Sequence, residues 1–154
     1  MGFVTDSAAE NPHIHTLFVG HGSPMNAIED NTFTRTWSSL GQSVESATPR
    51  AIVSVSAHWF TRDTGVTSMT DPQTIHDFYG FPPELNAVEY HAPGDPEIAE
   101  LVKDATKATE VINDYNWGLD HGTWSVLKHM FPDANIPVVQ LSIDGTRPLA
   151  DHAA

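Results

Sequence analysis

Short apolar runs and longer amphipathic stretches alternate along the chain. Thr16 to Val19 and Ala51 to Val55 are compact runs rich in β-branched and aromatic residues, the pattern of strands covered on both faces. Between them, Asn26 to Val44 spaces Ile28, Phe33, Trp37, Leu40 and Val44 as the buried stripe of a helix that ends before Thr48 and Pro49. Gly65 to Thr70 reads as another strand. Pro72, Gly80, Pro82, Pro83, Pro93, Gly94 and Pro96 then punctuate a long irregular stretch, the kind of loop in which function concentrates. Asp95, Pro96 and Glu97 form a helix start: a capping side chain, a proline whose missing N–H is not needed, and an acid at the positive helix end. Ile98, Leu101, Val102 and Ala105 keep one buried face, so this helix runs to about Thr106. Thr123 to Met130 predicts a further helix and Ile136 to Ile143 a further buried strand. The order β-α-β-β-α-α-β predicts an α/β fold, a mainly parallel sheet with helices on both faces.

Composition narrows the class. In 154 residues, 40% are hydrophobic and 18% charged, which suits one globular core and contains no apolar run of membrane length. Twenty acids against 7 Lys plus Arg leave a formal charge of −13, which repels phosphate backbones and anionic lipid surfaces; neither nucleic acid nor membrane is an expected partner. Met1 to Pro12 is polar and acidic without the basic and apolar regions of a signal peptide, so the expected location is cytoplasmic and the segment reads as a disordered tail. There is no cysteine. Disulfides, thiolate metal sites and cysteine nucleophiles are therefore excluded, and any transition metal must be held by His, Asp or Glu, of which the 9 histidines stand out.

Two of those histidines end apolar runs. His21 closes Leu17-Phe18-Val19-Gly20 and His58 closes Ile52 to Ala57, which puts both imidazoles at the carboxyl end of a sheet, where open α/β folds bind ligands. Taken singly, His21 between two glycines reads either as a ligand or as a turn histidine bonded to backbone, and His58 as a ligand or a satisfied core histidine. As a pair they make half of a Zn or Fe(II) site, which needs about three protein ligands and an open position. His121, in NWGLDHGTW, precedes a helix and can face the strand ends, where an imidazole suits substrate hydrogen bonding or proton transfer. Asp120 either orients a neighbouring imidazole or caps that helix, and capping is the commoner role. His76, Phe78, Tyr79 and Phe81 in TIHDFYGFP form either a pocket wall or a packed surface loop, and Trp59 stands beside His58. No phosphate-binding glycine loop, GxSxG elbow or HExxH helix is present.

The segments VGHGSPMNAI, SAHWF, IHDFYGFP, EYHAPGDP, DHGTWSVL and VVQLSID, in this order from Leu17 to Asp144, resemble successive motifs of the LigB superfamily of extradiol ring-cleavage dioxygenases. The resemblance implies that His21 and His58 are metal ligands and that His121 is a catalytic residue in the second sphere or against substrate. His76, which falls in one of these motifs, Phe81 and Trp59 are candidates for lining the substrate site. It implies a divalent metal, Fe(II) or Zn(II), and a small aromatic diol with O2 as partners. Family members continue past the length of this chain, with a VHNLR-like segment and a later histidine. The turn at Asp144 to Pro148 leads into a helix that Leu149 and Ala150 have only begun, so residues 1–154 read as a single catalytic domain whose C-terminal part is missing. A non-catalytic LigB-like scaffold is the alternative.

Overall fold

The computed structural model describes residues 16–45, 49–106 and 110–153. The expected tail at Met1 to Pro12 lies outside them. A 3-10 turn at Pro24–Ala27 leads to α1 (Thr32–Glu45); β1 (Ile52–Thr61) and β2 (Thr64–Thr67) follow; then come a short α2 (Pro83–Asn86), α3 (Pro96–Ala105), β3 (Val111–Asp114), α4 (His121–Met130), β4 (Val138–Asp144) and a 3-10 turn at Leu149–Ala153. The sheet order is β1-β4-β2-β3. β1 runs parallel to β4 and β2 parallel to β3, while β2 meets β4 antiparallel through Val66 and Leu141. The mainly parallel α/β sheet predicted from the pattern is thus present.

Period-two alternation along β4 divides the core. Val138 joins Trp37, Leu85, Trp124, Leu127 and Phe131 on the face covered by α1, α2 and α4. Its neighbour Val139, with Leu141, Val66 and Val111, packs on Ile98 and Ala99 of α3. Helices therefore cover both faces. No helix among the described residues is long and apolar enough to cross a membrane.

The helix starts follow their caps. Asp95 Oδ1 accepts from the Glu97 and Ile98 N–H groups at 2.9 and 3.1 Å, and Asp120 Oδ1 accepts from Thr123 N–H. The long amphipathic stretch from Asn26 is shortened to α1, because Asn31 Oδ1 caps the backbone of Phe33 and Thr34 and starts the helix there.

Three elements depart from the pattern. Thr16 to Val19 is not a strand: no regular structure spans it, and Leu17 and Phe18 are exposed while only Val19 packs on the core. An apolar run becomes a strand only when its N–H and C=O groups find a ladder, and none reaches it among the described residues. β3 was not foreseen, because Val-Ile-Asn-Asp is too short for alternation to show and its Ile112 is exposed at the sheet edge. The one-turn α2 also goes unannounced, being built inside a proline-rich loop from Pro82 and Pro83.

α1 and α4 cross so closely that a β-carbon on Gly41 would overlap the Met130 carbonyl. Gly41→Ala is expected to cost about 1–3 kcal/mol in urea unfolding. Gly20→Ala, with nothing within 4 Å of the added carbon, is expected to stay within about 0.5 kcal/mol.

Candidate metal centre

Three histidines from distant parts of the chain converge on the start of α4. His21 sits on an irregular segment turned by Gly22 at φ 65°, a left-handed conformation that glycine takes without strain. Its carbonyl is held by Asn26 Nδ2 at 2.9 Å. Asn26 is itself buried; its side-chain oxygen accepts from Asn31 and its carbonyl from His129 Nε2, which ties the turn to α1 and α4. His58 lies where the β1–β4 register shifts, between Val55 and Phe60, an irregularity of the kind that re-aims a side chain. His121 is the first residue of α4. His21 and His58 therefore do not end adjacent strands as the sequence pattern implied: His21 is on no strand, and His58 precedes the end of β1.

The rings touch. Centroids lie 4.8 Å apart for His21 and His58, 4.9 Å for His21 and His121, and 4.1 Å for His58 and His121. His21 Nε2 is 2.7 Å from His58 Nε2. A β-carbon on Gly122 would fall 2.6 Å from His58 Cδ2, so the glycine is what lets the ring rest on the helix start.

Two carboxylates attend the trio. Asp77 Oδ1 accepts from both the backbone N–H and the ring Nδ1 of His121, at 3.0 and 2.8 Å. Burial pushes the Asp77 carboxyl up, but these bonds from His121 outweigh it and hold the carboxyl below its ordinary value. Asp120 is fully buried and is held by Gln140 Nε2 at 2.6 Å. His21 titrates below its ordinary value, chiefly through burial and then through the nearby His121 and His58, with Asp120 and Asp77 pulling in the opposite direction.

This donor set fits a divalent cation. The three imidazoles place one ligand atom each within 4.8 Å of the others, which matches the nitrogen donors that Zn and Fe(II) accept. His21 Nδ1 is buried without a hydrogen-bond partner. With His121 Nδ1 committed to Asp77, Nε2 is the ring nitrogen it has left.

Of the other sequence candidates, Phe81 stands one ring removed: it packs edge-on against Phe78, which in turn meets the His121 ring at 5.6 Å. His76 donates from Nε2 to the Val88 carbonyl and packs on Phe78 and Trp124, so its ring nitrogen faces the loop backbone. Trp59 is not brought to the trio; it stacks on Trp117 at 5.6 Å and covers Gly65. Tyr79 is exposed. Sequence reasoning passed over Asp77, Asn26 and Gly122. For Asp77 a signal was available, since a lone acid between Ile75-His76 and Phe78-Tyr79 needs a partner wherever that stretch is buried.

A family model described as the catalytic LigB subunit of aromatic ring-opening dioxygenase matches residues 8–153. The chain belongs to the LigB family. A LigB relative named 4,5-DOPA dioxygenase extradiol, from Escherichia coli (strain K12), is 51% identical over 150 residues, covering 97% of this chain and 55% of the relative. Another of that name from Beta vulgaris is 41% identical, covering 85% of this chain and 52% of its own length. A crystal structure of an uncharacterized protein from Escherichia coli K12 superposes with a TM-score of 0.61 at 46% identity, over 80% of this chain and 45% of that one. The chain thus spans about half the length of the curated LigB relatives it matches.

Two outcomes follow for the centre. Between the depressed value of His21 and 6.5, the unfolded chain binds more protons than the folded one, so stability rises with pH across that window and the penalty is gone above it. The melting temperature of the metal-free protein is expected to fall as pH drops from 7 to 5, and His21→Gln to flatten that limb; identical slopes would contradict the assignment. Asp77 acts in the same direction only below 3.8. Gly122→Ala is expected to displace His58 and weaken Zn(II) binding by about tenfold or more in calorimetric titration.

Proposed function

We propose that this sequence carries the metal centre of an extradiol dioxygenase, which opens the ring of a catechol-type aromatic with O2. The observation that carries the reading is the His21, His58 and His121 cluster, in a member of a family described by aromatic ring-opening dioxygenases. In this reading His21 and His58 are the metal ligands and His121 is the catalytic residue. What the cation would supply is Lewis-acid templating of two neighbouring hydroxyl oxygens and, for Fe(II) but not Zn(II), electron exchange with O2.

The chain's own residues do the rest. Burial keeps His21 in its neutral form near pH 7, so a lone pair stays available for a ligand bond. His121, with Nδ1 bound to Asp77, can hold a hydroxyl proton at Nε2. Phe78 sets its edge against His121, and Phe81 extends that aromatic wall; an aromatic diol with its flat faces suits such a wall. His76 packs against Phe78 and supports the wall from further out.

The test loads the protein with Fe(II), adds a catechol under air, and follows oxygen uptake together with a yellow ring-opened product. Stoichiometric uptake with product is expected. Bound metal with no uptake on any catechol would favour a metal-binding scaffold, and no bound metal would sink both readings. His21→Ala and His58→Ala are each expected to lower metal content. His121→Ala is expected to retain the metal and lose turnover; loss of metal there would make it a third ligand instead.

A further inference from the structure

Asp77 stands on a loop that has little regular structure of its own, yet it is placed by several strong contacts. The Leu119 N–H donates to the Gln73 carbonyl and the Ile75 N–H returns a bond to the Leu119 carbonyl, both at 2.8 Å. Thr74 and Leu119 make a parallel bridge, and Trp124, fully buried on α4, donates from Nε1 to the Ile75 carbonyl at 2.8 Å. Gly118 completes the fit, since a β-carbon there would overlap the Gln73 carbonyl. The segment 73–77 is thereby stitched to the segment leading into α4, and its carboxylate arrives in fixed register with the first residue of that helix.

One oxygen of that carboxylate takes two bonds from a single residue. Oδ1 accepts from the His121 backbone N–H and from its ring Nδ1, so the ring is fixed relative to its own main chain. Their side chains are 19% and 6% exposed, which leaves little water to compete. Helix capping does not explain the ring contact: Asp120 already caps α4 through Thr123 N–H, and a capping acid needs only backbone donors. An ionised carboxylate only accepts, whereas an amide or hydroxyl both donates and accepts. The partner nitrogen must therefore carry the proton.

We propose that Asp77 is a positioning residue that holds His121 in the tautomer protonated on Nδ1, so that Nε2 is the lone pair this ring offers to the site. The inference deepens the dioxygenase reading, on which the use of that lone pair rests, but the tautomer itself does not depend on it. A ring protonated instead on Nε2 would turn a donor toward the place where a proton has to be received.

The test is long-range 1H–15N correlation of the histidine rings at pH 8, with neither metal nor substrate present. Wild-type protein is expected to show His121 protonated on Nδ1. In Asp77→Asn the side chain can still accept from the backbone N–H, but its amide can also donate to Nδ1, and an Nε2-protonated population is expected to appear. Should that variant not fold, Asp77→Ser offers the same choice of donor and acceptor. A wild-type ring protonated on Nε2, or an unchanged tautomer in the folded variant, would overturn the assignment. In the oxygen assay the Asn variant is expected to lose about tenfold or more in kcat with KM little changed, as when a catalytic imidazole is left in the wrong tautomer. Failure of that assay in wild type sinks the dioxygenase reading while leaving the ring spectra to decide Asp77.

Discussion

The start of α4 has to be held against the middle of the sheet, and the interaction that does this is a buried pair, Asp120 and Gln140. Both side chains are fully buried. Gln140 Nε2 donates to Asp120 Oδ2, the Asp120 backbone N–H reaches Gln140 Oε1 at 3.4 Å, and Asp120 Oδ1 caps the helix. A carboxylate in such a place is costly unless its oxygens are satisfied, and here a side-chain amide and the positive helix end do so. Because β4 is the strand between β1 and β2, this pair fixes α4 to the centre of the sheet. Ser54 on β1 and Thr123 on α4 add a hydroxyl contact at 2.9 Å.

The site inherits its geometry from that anchor. With α4 fixed, His121 and Gly122 lie beside the irregular end of β1, and His58 settles against the glycine. His21 comes from the other side, on a turn whose Asn26 is bound to α4 through His129 and to α1 through Asn31. The electrostatics are equally joint. Burial, then the nearby His121 and His58, disfavour protonation of His21, and the two acids that counter them arrive on different segments, Asp120 as the helix cap and Asp77 from the loop. His21 is thus held as a neutral nitrogen donor beside two acids that can balance a cation.

The legible part of this protein was local. Asp95 and Asp120 announced their helices, because a cap is decided by a side chain and the N–H groups within the next turn. The mostly apolar run Ile136 to Ile143 announced a buried strand, and β4 (Val138–Asp144) lies between two other strands. His21, His58 and His121 were singled out by residue type and by their ordered motifs, and the fold does gather them. Thr16 to Val19 misled, because apolarity is a property of a segment and strandedness a property of a pair.

What the sequence determined by itself was the set of elements with a local cause, the α/β class, the exclusion of thiolate chemistry, and the identity of the histidines. What tertiary structure decided was which groups face one another. Nothing along the chain joins Asp77 to His121 or Gly122 to His58, because those contacts depend on where a loop and an irregular strand end meet a helix start. Trp59 shows the same division: its neighbour His58 joins the trio, while its own ring goes to Trp117. Residue type fixes what a side chain can do; packing fixes which neighbour it does it with, since bonds of about 3 Å are set by the whole fold and not by distance along the chain.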